Sequence, residues 1–264
     1  MNTSFADIEK KENRKDLIIS ICVFLSGFSC FAQLYYFQPL LPDLAKDFIL
    51  SASESSFAIS FSTLGMVFGL FTTMFVADRI PRKKMIGTGL LSSSIFSVAA
   101  SFSPTFLPLI LLSAAKGFLL SGATSVSMAY IAEEVSSRNK GKIMGLYIAG
   151  NALGGMAGRV ISSWIGALYT WRIASVSIGL ICALFAILFL LFSPRSTNFM
   201  PRKESFHTLI IANLQLITSK ALIPFYLTGG LILGVFVSLY NYLGFYLTKA
   251  PFNFPEHYIH YIYL

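Results

Sequence analysis

Long apolar runs separated by short polar segments set the predicted elements of this chain. A helix needs about 20 mostly apolar residues to cross the hydrocarbon core of a bilayer. Seven segments meet that requirement: 17–41, 55–77, 85–102, 106–132, 143–169, 173–192 and 222–247. The pattern predicts an all-α integral membrane protein in which helices joined by short loops are antiparallel neighbours.

The composition points to lipid as the main solvent of the chain. Apolar residues make up 55% of it and charged residues 12%, whereas soluble domains carry about 25% charged residues. Most Lys and Arg residues fall in the N-terminal tail and in the segments after the second, fourth and sixth spans. Since basic short loops stay in the cytoplasm, we predict a multi-pass protein of the cell (inner) membrane with a cytoplasmic N-terminus. The net charge of +8 then reflects topology and contact with the lipid bilayer, and no nucleic-acid partner is predicted.

Four regions are predicted along the chain. Residues 1–16 form a cytoplasmic tail, 17–192 a six-helix bundle, 193–221 a cytoplasmic linker with an amphipathic stretch at the membrane interface, and 222–264 the start of a second bundle. The last apolar run, 258–264, is too short to cross a bilayer. We expect it to be the start of a truncated eighth span.

Charged residues follow the second span in the order Asp-Arg-Ile-Pro-Arg-Lys-Lys, from Asp78 to Lys84. A carboxylate at the membrane boundary can stabilise a helix end, pair with Arg, and release it when helices rock. Glu133 and Glu134, at the end of the fourth span, are candidate partners for Arg79 or Arg82. The alternative is a positively charged loop that fixes topology only. The predicted conformational gate consists of Asp78, Arg79, Arg82, Lys83, Glu133 and Glu134.

A second motif lies in the fifth span. Gly150, Gly154 and Gly158 share one helical face, with Gly155 beside them. Because glycine has no side chain, this face lets another helix backbone approach closely. The alternative to a hinge between moving parts is simple tight packing of two helices.

Both motifs resemble those of the major facilitator superfamily. The Asp78-Arg79 pair and the basic run after it are similar to the family's loop between spans two and three, although Met74 and Pro81 stand where it usually has glycine. The glycine-rich fifth span is similar to the motif of the family's exporters, without its usual proline. Further stretches resemble a bacterial branch labelled arabinose-efflux-permease-like, which is grouped with multidrug efflux: 34–42, 129–134, 145–147, 171–172, 240–242 and 251–252.

The resemblance implies a fold and an activity. The fold is the family's N-terminal six-helix bundle, a 3+3 inverted repeat, followed by a seventh transmembrane helix and the start of an eighth. The activity is secondary active transport, with export of a sugar or drug-like solute by alternating access and without a cofactor. The implied partners are a small-molecule substrate and a second transporter half or a homodimer partner.

Two basic residues, Lys116 and Arg159, lie at bilayer depth. Each costs about 2.5 to 3.5 kcal/mol there, so each is a candidate for binding substrate. The alternative is that Arg159 braces helix carbonyls and Lys116 extends toward the interface. No Asp or Glu lies deep in a predicted span, so no proton carrier is assigned. Neutral hydrogen-bonding side chains complete the predicted cavity: Gln33, Tyr36, Gln38, Asn151, Tyr240 and Asn241.

Enzyme chemistry is not indicated by the apolar spans. They contain no paired carboxylates, Ser-His dyad or metal-ligand cluster, and the chain has no phosphate-binding loop. His257 and His260 are expected at the surface. The main alternative to a transporter is an inactive or split-gene fragment that needs a second half, because alternating access requires two. A channel or scaffold is a third alternative.

Overall fold

The computed structural model describes residues 5–201 and 206–254, with side chains from 12 to 201 and from 207 to 254. No strand occurs within these ranges. The α-helices described there are α1 (Phe5–Tyr35), α2 (Leu41–Asp47), α3 (Ala52–Ser55), α4 (Phe57–Val76), α5 (Arg82–Ala100), α6 (Phe106–Glu134), α7 (Lys140–Leu168), α8 (Trp171–Phe192), α9 (Phe206–Ile217) and α10 (Ile223–Thr248). Two short 3-10 turns precede α2 and α5, at Gln38–Leu40 and Ala77–Arg79.

The predicted all-α membrane fold is confirmed, but the number of apolar spans is lower than predicted. Five segments of the described chain are long and apolar enough to cross a membrane: Glu12–Phe48, Ala52–Arg79, Phe106–Glu134, Trp171–Phe192 and Ile223–Thr248. The other two predicted spans form the long helices α5 and α7, which are too polar to qualify.

The polarity of α5 and α7 has a physical reason. Helix α5 packs against α1, α6 and α8 and buries Ser93, Ser94 and Ser97 completely. Helix α7 packs against α1 and α8 and buries several glycines. The buried faces of these helices meet protein instead of lipid, and small or hydrogen-bonding side chains suit that contact better than large apolar ones.

Two seams of closely packed backbones organise the bundle. In the α1–α7 seam, a Cβ atom built on Gly150 would lie 2.6 Å from the carbonyl oxygen of Phe24. In the α4–α6 seam, a Cβ atom on Gly117 would overlap the carbonyl oxygen of Ser62. Within these seams glycine is therefore required for the observed helix spacing.

Buried apolar side chains form two clusters within the bundle. One cluster includes Leu90 and Phe189, and the other includes Phe37 and Leu41. At the end where α2 lies, Trp171 Nε1 donates a hydrogen bond to Asp47 at 2.7 Å and joins α2 to α8.

The C-terminal part of the described chain has fewer contacts with the bundle. Helix α10 contacts it mainly through α2 and the turn Gln38–Leu40, and Gly244 is its buried residue. Helix α9 exposes apolar residues such as Leu214 and Ile217. The predicted truncated span at 258–264, together with His257 and His260, lies outside the described residues. The four predicted regions stay predictions.

Candidate functional site

Arg82 lies at the centre of a charged cluster at one end of the bundle. It is the first residue of α5, and 7% of it is exposed. Its Nη2 donates to Asp78 Oδ1 at 2.8 Å and to Glu133 Oε1 at 3.0 Å, while Nη1 donates to the carbonyl oxygen of Ala77 at 2.6 Å. One guanidinium therefore joins the end of α4, the start of α5 and the end of α6.

The electrostatics keep this guanidinium charged. Burial alone would lower the pKa of Arg82, but hydrogen bonds to Glu133 and Asp78 outweigh that effect and raise its pKa above the usual value. Arg79, in the same turn, is exposed and makes no ion pair or hydrogen bond through its side chain with the described part of the chain. The cluster thus depends on one of the two arginines proposed for it.

Glu134 does not pair with either arginine, contrary to expectation. Its carboxylate accepts hydrogen bonds from Lys15 Nζ at 2.8 Å, from Thr197 Oγ1 at 2.9 Å and from the backbone N–H of Asn198 at 2.7 Å. Consecutive helix residues point about 100° apart. Glu133 therefore faces α5 while Glu134 faces α1 and the segment after α8.

Lys83 binds that same segment. Its backbone N–H donates to Ser196 Oγ at 3.0 Å, and its Nζ donates to the carbonyl oxygen of Ser193. Burial lowers the pKa of Lys83 below its usual value. The structure thus brings five of the six predicted gate residues into one network and leaves Arg79 outside it.

The four glycines of the predicted packing motif in α7 divide between two environments. Gly150, Gly154 and Gly158 lie in the seam with α1. A Cβ atom on Gly155 would instead lie 3.4 Å from Arg159 Nη1 and 3.6 Å from Tyr35 Cδ2. Gly155 therefore leaves open space beside Arg159 and Tyr35.

A pocket of about 470 Å³ lies between α1, α7 and α10. Arg159 projects into a set of aromatic rings, with its Cζ 4.5 Å from the ring centre of Tyr35, 5.1 Å from that of Tyr240 and 5.4 Å from that of Phe236. The lining residues are Phe31, Tyr35, Ile148, Asn151, Ala152, Gly155, Met156, Arg159, Leu233, Phe236 and Tyr240. The pocket is thus an apolar, aromatic cavity with one fixed positive charge.

A chain of hydrogen bonds runs from Arg159 to α10. Arg159 Nε donates to Gln38 Oε1, and Gln38 Nε2 donates to Asn241 Oδ1 at 2.9 Å. Arg159 Nη1 also donates to the carbonyl oxygen of Gly155 at 2.9 Å. The chain connects α7, the turn after α1, and α10.

The remaining cavity candidates lie apart from the pocket, inside the bundle. Gln33 donates to Ser29 Oγ at 3.3 Å and accepts from Ser97 Oγ at 3.2 Å. Lys116, 1% exposed, places its Nζ 4.5 Å from the ring centre of Tyr36, with no hydrogen-bond acceptor among the described residues. Gln33, Tyr36 and Lys116 are not part of the pocket lining. The predicted cavity set therefore occupies two places.

Residues 20–261 match the sequence profile of the Major Facilitator Superfamily. The chain belongs to this superfamily. The predicted superfamily membership is thus confirmed, while the exporter branch stays a prediction.

Curated relatives of this superfamily member are named as transporters. It is 35% identical over 239 residues to the inner membrane transport protein YnfM of Escherichia coli K12, covering 90% of this chain and 57% of that protein. It is 35% identical over 245 residues to an uncharacterized transporter of Buchnera aphidicola from Schizaphis graminum, covering 93% and 59%. It is 30% identical over 246 residues to the uncharacterized MFS-type transporter YybF of Bacillus subtilis, covering 93% and 61%. The chain thus spans somewhat more than half the length of these relatives.

A solved structure supports the fold of this superfamily member. A bacterial homolog of the human lysosomal transporter Spinster, in an inward-facing and unoccupied conformation, superposes with a TM-score of 0.76. The match covers 93% of this chain and 58% of that one, at 14% sequence identity. At that identity the likeness supports the fold alone.

Three aromatic residues that line the pocket are not among the predicted cavity residues: Phe31, Tyr35 and Phe236. Helical periodicity could have found them. Phe31, Tyr35 and Gln38 recur at spacings of four and three, which places them on one face of the chain around α1. Asn151, Gly155 and Arg159 recur every four residues along α7. In this superfamily member the face of α1 with these aromatic residues and the polar face of α7 therefore line the same pocket.

Proposed function

We propose that this chain is a secondary active transporter that exports a small solute, a sugar or a drug-like molecule, by alternating access. The observation that carries the proposal is the pocket around Arg159, where one fixed cation lies within an aromatic wall between the bundle and α10. A cavity of about 470 Å³ falls in the range that binds small organic molecules. Its mixture of ring faces and a hydrogen-bonding cation suits a solute with both an apolar surface and polar groups.

The proposed cycle uses contacts at two places. The hydrogen bond between Gln38 and Asn241 holds α10 against the turn after α1, so the pocket opens when this bond breaks and α10 moves. The Arg82 cluster holds the ends of α4, α5 and α6 together in one conformation. Under this proposal the two sets of contacts break in different states of the cycle.

The proposed setting is the cell membrane, with the N-terminus in the cytoplasm. The lopsided distribution of Lys and Arg supports this orientation. A green fluorescent protein fused before residue 1 is expected to fluoresce, because it folds in the cytoplasm. A dark, membrane-inserted fusion would contradict the orientation.

Arg159→Lys is expected to reduce solute flux at least tenfold. Lysine keeps the charge but loses the planar fork that contacts Gln38, Gly155 and the surrounding rings. Flux of sugars and of fluorescent drug-like compounds would be measured in proteoliposomes, with Lys84→Gln as a control because Lys84 is exposed and lies far along the sequence from the pocket. Equal flux for Arg159→Lys and the wild type would exclude the pocket as the transport site.

We further propose that a solute contacts Lys116, which is buried inside the bundle, once the helices separate. Lys116→Met is therefore expected to reduce flux while leaving solute binding at the Arg159 pocket within about twofold of wild type, because Lys116 lies outside the pocket lining. Flux unchanged by Lys116→Met would show that the amine only packs against Tyr36 and Phe37.

A second proposal is that this chain needs a second half, or a second copy of itself, to transport solute. The chain spans 57% to 61% of three relatives, and alternating access uses two halves around one site. Under this proposal the chain binds solute alone but carries out flux only with a second half or a second copy. Solute binding without flux by the 264-residue chain, and flux after co-expression of the remaining part of YnfM, would favour it.

A further inference from the structure

The first residues after α8 form a strap across the charged end of the bundle. We define the strap as residues 193–199, with the sequence Ser-Pro-Arg-Ser-Thr-Asn-Phe. It follows the last residue of α8 directly, and it precedes Met200, which is 80% exposed. The strap therefore ends where this segment leaves the charged end of the bundle.

The strap supplies hydrogen-bond partners that two helix ends lack. Helix α5 begins after Pro81, which has no side chain that can accept a hydrogen bond, and Ser196 Oγ accepts the N–H of Lys83 in the first turn. At the other helix end, Asn198 Nδ2 donates to the carbonyl oxygen of Glu133 in the last turn of α6 at 2.8 Å. The first N–H groups and last carbonyl groups of a helix have no partners within it. The strap thus caps α5 and α6 from a distant part of the sequence.

The same residues contact the charged side chains directly. Thr197 Oγ1 and the backbone N–H of Asn198 both donate to Glu134, beside the ion pair of Glu134 with Lys15. The ring of Phe199 lies 4.9 Å from Arg82 Cζ. A ring over the guanidinium shields its ion pairs from water and adds a cation–π attraction. Both Glu134 and Arg82 are therefore held by strap residues.

One buried tyrosine fixes the start of the strap. The hydroxyl group of Tyr130 lies 2.8 Å from Ser193 Oγ and 2.8 Å from the carbonyl oxygen of Pro194. Lys83 Nζ adds a hydrogen bond to the carbonyl oxygen of Ser193. The path of the chain is thus determined from the first residue after α8.

We propose that the strap is a working part of the gate: its residues position Arg82, Glu133 and Glu134, so the strap and the gate network form and separate as one unit. The proposal concerns the gate alone and does not depend on the identity of the solute.

Trypsin cleavage after Arg195 tests whether the strap is docked. The Arg195 side chain is exposed, but the residues on both sides of it are hydrogen-bonded, so cleavage requires local release of the strap. Thr197→Val and Phe199→Ala in the purified full chain are each expected to raise the cleavage rate about tenfold. Thr197→Ser and Phe199→Tyr keep the hydroxyl and the ring and are expected to restore protection. Met200→Ala is the matched control, and cleavage after the exposed Lys220 is the internal standard.

A double-mutant comparison tests the link between strap and gate. Thr197→Val is expected to add little to the cleavage rate in a Glu134→Gln background, because the hydroxyl group has then lost its charged acceptor. Circular dichroism of each variant shows that the helices are retained. Wild-type cleavage rates for Thr197→Val and Phe199→Ala would overturn the proposal, as would fully multiplicative effects of Thr197→Val and Glu134→Gln.

Discussion

Alanine at Gly117 is expected to destabilise the protein by about 3 kcal/mol, because the added methyl group overlaps the backbone of α4 at Ser62. Neither helix can yield easily, since Gly65 on α4 makes an equally close approach to Ala114 on α6. The seam must therefore widen along its length, which separates other packed groups. The same reasoning applies to Gly154→Ala, which would overlap the carbonyl oxygen of Phe28 in the α1–α7 seam.

The matched control for this prediction is Gly145→Ala in α7. A Cβ atom there meets nothing within 4 Å, and alanine favours a helix over glycine by about 1 kcal/mol. The melting temperature in detergent is expected to fall by about 6 to 12 °C for Gly117→Ala and to stay level or rise for Gly145→Ala. If the two variants melt at the same temperature, close backbone contact does not hold the α4–α6 seam together.

Arg82→Met is expected to abolish solute flux and to cost about 3 to 5 kcal/mol of stability, because it leaves the partly buried Glu133 without its cation. Asp78 and the carbonyl oxygen of Ala77 lose their donors at the same time. Arg82→Lys is expected to fail as well, since an ammonium group cannot reach these acceptors with the geometry of a planar fork. Flux in proteoliposomes and melting in detergent would be measured together.

The control for Arg82 lies three residues earlier in the same motif. Arg79 carries the same charge but is exposed, so Arg79→Gln is expected to change stability by less than about 0.5 kcal/mol. If both variants lose similar amounts of stability and flux, the positive charge of the loop is what the protein requires, and the ion pair of Arg82 is not. That result would favour the topological explanation for the basic run.

The gate shows how far the sequence could predict contacts. Arg82 and Asp78 are four residues apart in the sequence. Glu133 follows the fourth apolar span, which ends on the same side of the membrane as the loop that holds Arg82. The contact among these three residues was therefore predictable. The pairing of Glu134 with Lys15 and the docking of Thr197 were not. They join segments whose relative rotation depends on the packing of whole helices, which no local pattern encodes.

The pocket shows a different limit. Tyr36 was predicted to line it, but its neighbour Tyr35 does so, because a difference of one residue turns a side chain by about 100° around the helix. The polar residues Gln33 and Lys116 lie inside the bundle instead. Gln33 is held there by a hydrogen bond from Ser97 of α5, and Lys116 packs against the ring of Tyr36, just after α1. Membrane depth was predictable for all of these residues, whereas the direction of each side chain required the packed helices.

The α1–α7 seam has a consequence for the order of assembly during synthesis. Helix α4 meets its partner α6 soon after both emerge, but α1 meets α7 only after the intervening helices have been made. At ordinary translation rates this delay between Phe28 and Gly154 is roughly 6 to 25 s. During that time the surface of α1 around Phe24, Phe28 and Ala32, which packs against the glycines of α7, has no permanent neighbour. The first helix of this protein is therefore the one most dependent on shelter from the insertion machinery while the rest of the chain is made.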